Sequence, residues 1–365
     1  MLAEGRPPGN SSTSASLDPG MTKLGFLSFG NWMGVTGSRT RSGGEALLQG
    51  VELAVAAEEV GVDGAFYRVH HFAQNHSNPF PMMAAAAART TRIELGTGVI
   101  DMRYENPWAL AEQAGATDLI SGGRLQLGIS RGSPEAVVDG WRSFGYAPAE
   151  GQTDADLARS HTDAFRRAIA GEGVAPGNPR VIGAVSLQPV TPQSPGLADR
   201  IWWGAGTRAT AAWTGEQGMN LMSSTLLTED TGVPFDELQA EQIAVFHAAW
   251  AAAGHARAPR VSVSRSILPI IDDETAYYFG VPAQGPQRDQ VGMLDGAQSR
   301  FGRSYIGAPD VIATELARDA AVRAADTLLV TVPNQLGVEF NARILEAIVR
   351  DVMPVVDAQV VPSLA

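Results

Sequence analysis

AFYRVHHFAQNHSNPFP, residues 65–81, begins with a short apolar run typical of a buried strand and continues into a loop rich in histidine. This loop holds His70, His71 and His76, which are half of the six histidines in the chain. Loops that leave a rigid scaffold commonly carry binding and catalytic groups. Two explanations for the cluster stay open: imidazoles that act on a ligand, and imidazoles that staple the loop by hydrogen bonds.

The same unit of strand, loop and helix recurs along the chain. Apolar runs bounded by turn residues predict eight strands, each followed by a helix. The predicted strands are 24–29, 63–67, 92–101, 124–130, 200–204, 220–223, 260–269 and 327–332. Strands that alternate with helices are parallel. Eight such pairs, with no GxGxxG turn after the first strand, predict an α/β fold of the (β/α)8 TIM-barrel type rather than a doubly wound sheet.

Three segments fall outside this pattern. Residues 1–22, rich in Pro, Gly and Ser, predict a flexible tail with Met21 as an alternative start, and 23–358 are predicted to form one domain. Residues 171–197 are a Pro/Gly-rich excursion with a hairpin arm at 180–187. Residues 272–305, after the seventh strand, are too long for an idle connection. We interpret them as a mobile loop that closes over the barrel mouth, or else as a surface insertion.

The composition narrows the classes of function. A net charge of −12 gives no electrostatic attraction to nucleic acid or to anionic membranes. The chain has no cysteine, which excludes disulfides and thiolate chemistry, and no histidine spacing indicates a metal site. No apolar run approaches the ~20 residues that span a bilayer. The N-terminus lacks an apolar signal core, so we expect a cytoplasmic protein.

The carboxyl ends of parallel barrel strands meet at one mouth, so residues there can be considered together. Arg131 follows the fourth strand, and Gly206-Thr207 lead from the fifth strand into a helix. A guanidinium beside a helix N-terminus predicts an anion site. Gly98, at the end of the third strand, lets a flat ligand approach the backbone. A surface salt bridge, an ordinary turn and a β-bulge are the simpler alternatives for these three features.

Two linked motifs at a specific spacing carry a resemblance to a known family. They are VHHFAQNHSNPFPMMAAAAARTTRIELGTGVI, residues 69–100, and NPWALAEQAGATDLISGGRLQLGISRG, residues 106–132. The chain resembles the bacterial luciferase-like flavin-dependent monooxygenases, and the similarity runs from about Leu24 to the C-terminal helix. The resemblance implies a (β/α)8 barrel, in agreement with the independent count of strands.

The resemblance also implies roles for individual residues. His70 and His71 match the catalytic histidine pair of the family, and Gly98-Val99 match a dipeptide, often joined by a cis peptide, against which the isoalloxazine packs. The residues implied to bind the flavin are Gly98, Val99, Ser130, Arg131, Gly206, Thr207 and Thr210, with Arg131 and the two threonines on the phosphate. Two positions depart from the family pattern: Val69 replaces a common acidic residue, and Ser130 replaces the reactive cysteine of luciferases. These departures weigh against light emission, not against flavin binding.

The implied function is that of a two-component monooxygenase. Such an enzyme receives reduced FMN from a flavin reductase and uses O2, through a 4a-peroxyflavin, to oxygenate a small organic substrate of carbonyl type. One alternative is a deazaflavin-coenzyme-dependent oxidoreductase that transfers hydride. Another is a non-catalytic flavin-binding homologue, and a phosphosugar-type barrel enzyme is the alternative without flavin. The alanine-rich helix at 79–90 and the helix at 107–119 further predict a homodimer.

Overall fold

The chain folds into a closed barrel of parallel strands in the computed structural model, which describes residues 22–132, 136–182, 186–229, 232–285, 289–294 and 297–360. The barrel strands are β1 Lys23–Ser28, β2 Gly64–Tyr67, β3 Glu94–Thr97, β4 Leu125–Ser130, β5 Ile201–Ala205, β6 Asn220–Ser223, β7 Val261–Pro269 and β8 Thr327–Val332. Each strand pairs in parallel with the next, and β8 pairs with β1. The predicted (β/α)8 TIM barrel is confirmed.

Helices cover the outside of the barrel. The longer ones are Gly43–Glu59, Phe80–Ala87, Pro107–Ser121, Asp154–Ile169, Arg208–Glu216, Phe235–Ala253, Asp273–Ala283, Pro309–Leu316, Val338–Ala347 and Met353–Val360. Local sequence explains where several of them begin. The Ser42 side chain accepts the N–H of Glu45, and the Asn106 side chain accepts two N–H groups just before Pro107. In the part of the chain that the structure describes, no helix combines the length and apolar character needed to cross a bilayer.

Side chains fill the interior of the barrel. A buried apolar cluster from five strands consists of Leu27, Phe66, Trp202, Met222 and Leu329. The indole Nε1 of Trp202 donates to Gln126 Oε1 at 2.8 Å, which satisfies the polar atom of this buried ring. Towards the amino-terminal ends of the strands, Glu94 binds both Lys23 and Arg260. The open cavity lies at the carboxyl ends of the strands, as in other barrels of this type.

The excursion after the fourth helix differs from its prediction. Its hairpin pairs Gly173–Pro176 with Leu187–Pro189, whereas the predicted arm at 180–187 is wrong. Residues Pro179–Ile182 form a short helix instead, and 183–185 lie outside the described residues. The cause is local: the Asn178 side chain accepts the N–H of Arg180, and Pro179 suits the first helical position.

Two predicted elements are interrupted. The third predicted strand, 92–101, divides into β3 and a short strand Ile100–Asp101, with a cis peptide between Gly98 and Val99. The helix predicted to lead into the eighth strand divides into Pro309–Leu316 and Ala320–Ala324. Asp319 causes this second break, because its carboxylate caps the N–H groups at the start of the second piece and also binds buried Arg265.

The segment after β7, predicted as a loop at 272–305, contains regular structure. It holds helix Asp273–Ala283, an antiparallel pair Gln290–Leu294 and Ala297–Phe301, and strand Ser304–Gly307 beside β7. Residues 286–288 and 295–296 lie outside the described part. The predicted tail at 1–22 also lies outside it except for Thr22, whose N–H donates to Asp357. The antiparallel pair continues onto Leu226–Leu227, just after β6.

Candidate active site

A cavity of about 590 Å³ opens at the carboxyl ends of the barrel strands. This volume is ordinary for a site that takes a small molecule or cofactor. The predicted site residues that line it are His70, Gly98, Val99, Ser130, Arg131, Gly206, Thr207 and Thr210. The structure thus brings together all the predicted site residues except His71.

One end of the cavity offers donors suited to an anion. Thr207 caps helix Arg208–Glu216: its Oγ1 accepts the N–H of Thr210 at 3.1 Å and donates to Thr210 Oγ1 at 2.9 Å. Arg131 reaches the same cavity from the end of β4, with about half of its side chain exposed (51%). Two N–H groups of this helix terminus are already occupied, because Arg208 N donates to Glu229 and Thr210 N to Thr207. The guanidinium, the hydroxyls and the remaining N–H groups suit a phosphate.

Arg159 is a cavity residue that the sequence analysis missed. It lies one helical turn after Ala155 on helix Asp154–Ile169, and both residues line the cavity. Its guanidinium lies over the ring of Trp213, 5.0 Å from the ring centre. The spacing of four residues signals that 155 and 159 share a helix face. Helical periodicity does not say, however, that the first turns of this helix approach the barrel mouth.

A network of alternating charges leads from the interior to Arg131. Buried Arg103 binds Asp101 at 2.6 Å and Asp154 at 2.8 Å, and Asp154 lies 3.7 Å from Arg131. Burial opposes the charge of Arg103, but its two carboxylate partners raise its pKa above the ordinary value. Gly132 lets the backbone after β4 lie close to the Asp101 carboxylate. Its φ is +85°, and a Cβ at this position would overlap that carboxylate.

A flat apolar surface adjoins the cationic end. The cis-linked Gly98 and Val99 line the cavity together with Leu27 and Met222. A Cβ on Gly98 would lie 2.9 Å from Leu27 Cδ1 and 3.6 Å from Met222 Sδ, so glycine keeps this surface open. The side chain of Val99 packs against the apolar cluster inside the barrel. This surface has the shape and polarity to take one face of a planar ring system.

His70 is the one histidine of the loop that lines the cavity. Its Nε2 accepts a hydrogen bond from Arg68 Nε at 2.7 Å. Its backbone N–H donates to His76 O at 2.9 Å, which closes the loop on itself. The preceding residue, Val69, is buried (3% exposed). An imidazole at the cavity wall is suited to hold or transfer a proton.

His71 points away from the cavity and is buried in an aromatic cluster. Its ring stacks on Tyr104 at 4.2 Å and meets Phe144 edge-on at 5.1 Å. Its Nε2 lies 3.9 Å from Glu105 Oε1. Burial, assisted by the charge of Asp101, raises the pKa of Glu105 to about 7. The two adjacent histidines thus differ in environment: His70 lines the cavity, and His71 packs among aromatic rings.

His76 is also a packing residue. It is buried, its ring meets Tyr67 edge-on at 5.6 Å, and its Nε2 lies 3.5 Å from Ala46 O. Burial lowers the pKa of His76 below the ordinary value. Gly30, with φ +61°, leaves the space that this ring occupies. Within this loop, therefore, His70 lines the cavity, whereas His71 and His76 pack inside the protein.

Comparison with known proteins fits this geometry. A sequence model of luciferase-like monooxygenases matches residues 22–277. The chain belongs to the luciferase-like monooxygenase family. The match begins at β1 and extends past β7. The family predicted from the histidine and strand-end motifs is confirmed.

This luciferase-like chain also resembles curated relatives over part of its length. It is 38% identical to the oxygenase component of the flavin-dependent trigonelline monooxygenase of Acinetobacter baylyi over 86 residues, 23% of this chain and 24% of that protein. It is 29% identical to the F420-dependent glucose-6-phosphate dehydrogenase of Kribbella flavida over 178 residues, 46% of this chain and 50% of that protein. The chain spans half or less of the length of these two relatives.

A solved structure shares the fold of this luciferase-like chain over nearly its whole length. It is the oxygenating constituent of 3,6-diketocamphane monooxygenase from the CAM plasmid of Pseudomonas putida, in complex with FMN. The TM-score is 0.65 at 18% identity, and the match covers 92% of this chain and 98% of that one. At this identity the similarity establishes the shared barrel architecture.

Proposed function

We propose that this chain is the oxygenase component of a two-component flavin-dependent monooxygenase. It takes reduced FMN from a separate flavin reductase and uses O2 to oxygenate a small organic substrate of carbonyl type. The observation that carries the proposal is a single cavity that holds His70, the Gly98-Val99 surface and the Arg131–Thr207 anion end. The similarity to an oxygenase component in Acinetobacter supports the need for a reductase.

The residues present fit an FMN molecule. Arg131, Arg159, Thr207 and Thr210 would hold the phosphate, and the Gly98-Val99 surface would support the isoalloxazine. When bound, the reduced flavin supplies the activation of O2. The task of the protein is to bind and orient the reactants, to exclude water and to hold or move a proton at His70.

We propose that the segment at 272–305 limits access to this cavity. Leu226, which lines the cavity, pairs with Phe301 of the strand Ala297–Phe301. The segment is thus attached directly to the cavity wall. Closure of such a segment protects reactive intermediates from water.

A deazaflavin-dependent oxidoreductase is the second candidate. The longer curated match is to an F420-dependent dehydrogenase, and the ring surface and the phosphate end of the cavity would suit groups that both coenzymes possess. In that case His70 exchanges a proton with the substrate during hydride transfer. FMN is preferred over the deazaflavin coenzyme because the HHF form of the histidine motif, His70-His71-Phe72, favours FMN.

An anaerobic titration separates these candidates. The purified protein is titrated with reduced FMN and, separately, with the oxidised deazaflavin coenzyme, and is then supplied with a flavin reductase, NADH, O2 and a panel of ketones and aldehydes. Preferential binding of reduced FMN with O2-dependent product formation supports the proposal. Preferential deazaflavin binding supports the second candidate, and FMN binding without turnover on any substrate supports a non-catalytic flavin-binding homologue. Binding of neither coenzyme overturns the flavin proposals.

We further propose that the chain acts as a homodimer in the cytoplasm, where reductases generate reduced flavin. Helix Pro107–Ser121 exposes Trp108, Leu119 and Ile120, with 38%, 48% and 55% of each residue accessible. The neighbouring helix Phe80–Ala87 also carries no charge, but five of its eight residues are buried within the single chain, so the exposed face of Pro107–Ser121 is the surface that supports the proposal. Such surfaces suit close contact between two copies of a chain.

A further inference from the structure

Arg68 donates a hydrogen bond to His70, the imidazole at the cavity wall. Its Nε–H donates to His70 Nε2 at 2.7 Å, and both residues line the cavity. Other contacts hold Arg68 in place. Its guanidinium lies over the Phe29 ring, 4.7 Å from the ring centre, and its backbone N–H donates to Ser28 O at 2.9 Å. Arg68 is therefore oriented by the end of β1 and not by His70 alone.

The direction of this hydrogen bond determines where the imidazole carries its proton. A guanidinium nitrogen can donate but cannot accept, so His70 Nε2 must be the acceptor. In the neutral imidazole the other nitrogen then carries the hydrogen, which makes His70 the Nδ1–H tautomer. Free histidine in water prefers the opposite tautomer, with hydrogen on Nε2. The contact with Arg68 thus reverses the intrinsic preference of the ring.

The neighbouring position explains why an arginine has this role here. Residue 69 is a buried valine, 3% exposed, so the position before the histidine pair offers no carboxylate to the ring. A carboxylate would accept a hydrogen from the imidazole, whereas Arg68 donates one to it. The imidazole therefore accepts a hydrogen bond from Arg68, whereas it would donate one to an acidic neighbour.

We propose that Arg68 is a positioning residue that selects the Nδ1–H tautomer of His70 and so makes Nδ1 the nitrogen that carries the proton for the reaction. The selection of the tautomer follows from geometry alone, and its catalytic consequence rests on the function proposed above. Arg68 acts through His70 and lies after β2, three strands along the barrel from the Thr207 turn after β5. Loss of Arg68 therefore affects turnover and leaves phosphate binding intact.

The test is nitrogen-15 NMR of the histidine side chains at about pH 8.5, where exposed imidazoles are neutral. Protein labelled at histidine nitrogens is compared as wild type, Arg68→Met and the control Arg142→Met, with His70→Gln to assign the signal. Arg142 is a surface arginine whose side chain binds only Asp139 among the described residues. We expect the Nδ1–H pattern for His70 in the wild type and in the control, and the Nε2–H pattern in Arg68→Met.

Turnover and flavin binding complete the test. In Arg68→Met, kcat should fall by at least about 10-fold, as for a disturbed acid–base group, while the Kd for FMN changes by less than about 2-fold. An Nε2–H pattern for His70 in the wild type overturns the proposal, whether or not the variant folds. An Nδ1–H pattern that persists in Arg68→Met also overturns it. If the tautomer shifts as expected but no monooxygenase turnover is found in any form, the proposed function fails and the positioning role stands.

Discussion

The carboxylate of Asp154 lies 3.7 Å from the guanidinium of Arg131. The same carboxylate accepts a hydrogen bond from buried Arg103 at 2.8 Å, so its position is fixed from the interior. A flavin phosphate at Arg131 would therefore share that guanidinium with a resident negative charge. This arrangement favours reversible binding, as the proposed delivery of FMN by a separate reductase would require.

Removal of the negative charge of Asp154 should tighten flavin binding. We expect Asp154→Asn to lower the Kd for FMN by about 3- to 10-fold at low salt, because one repulsive charge is removed, and the difference should shrink as salt screens it. Fluorescence titration at two ionic strengths measures this. Asp163→Asn, an exposed change of the same charge further along the helix, is the control. Weaker binding in Asp154→Asn would mean that Asp154 chiefly orients Arg131.

Arg131 should distinguish FMN from riboflavin, which lacks the phosphate. We expect Arg131→Met to raise the Kd for FMN by about 10- to 100-fold, the usual cost of a lost charge-assisted hydrogen bond. The Kd for riboflavin should hardly change. Calorimetric titration of both ligands gives the comparison, with Arg142→Met as the surface control. An equal loss for both ligands would place Arg131 away from the phosphate.

Gly132 should tolerate no side chain. An alanine at this position would destabilise the fold in two ways. Its backbone would be left-handed, at φ +85°, and its Cβ would overlap the Asp101 carboxylate. We expect Gly132→Ala to lower the free energy of unfolding by about 2–4 kcal/mol. Gly122→Ala is matched in backbone, with φ +70°, but meets nothing within 4 Å, so it should cost about 1 kcal/mol. Urea denaturation tests the difference, and equal costs would exclude the overlap as a cause.

Glu105 should make stability depend on pH. Its pKa is raised from 4.5 to about 7, so between these values the folded protein keeps a proton that the unfolded chain has released. The stabilisation is complete below about pH 4.5 and is lost as the pH rises to about 7. Relative to Glu105→Gln, the wild type should lose about 1–3 kcal/mol across this window.

The measurement for Glu105 is urea denaturation at a series of pH values. Glu112→Gln, an exposed glutamate on helix Pro107–Ser121, serves as the control and should retain the wild-type profile. A Glu105→Gln profile parallel to the wild type would show that this carboxyl group is ionised in the folded protein throughout the window.

The proposed dimer predicts a sensitive surface position. Ile120→Asp places a charge on helix Pro107–Ser121 where the residue is 55% exposed in the single chain. We expect this variant to be monomeric in light scattering while its melting temperature stays near that of the wild type. Leu48→Asp, at a position 70% exposed on helix Gly43–Glu59, should remain dimeric. A wild type that is monomeric at micromolar concentration would refute the dimer.

The histidine loop shows how far the sequence predicts the site. The residues that follow β2, β3, β4 and β5 could be combined without coordinates, because parallel strands in a closed barrel deliver their carboxyl ends to the same mouth. That rule brought His70, Gly98, Arg131 and Thr207 together correctly. It could not separate His70 from His71, since a pattern of adjacent histidines does not show which ring lines the cavity and which packs on Tyr104.

By itself, the sequence determined the eight barrel strands, the family and the set of strand-end residues, because each depends on local patterns of apolar runs, turns and motifs. Only the tertiary structure decided the contacts between side chains distant in sequence. Arg159 enters the cavity through the placement of a helix, and Asp154 meets Arg131 across two elements. The tautomer of His70 depends on the direction in which Arg68 points, which packing against Phe29 sets. Such contacts arise from the way elements pack in three dimensions, and no local pattern encodes them.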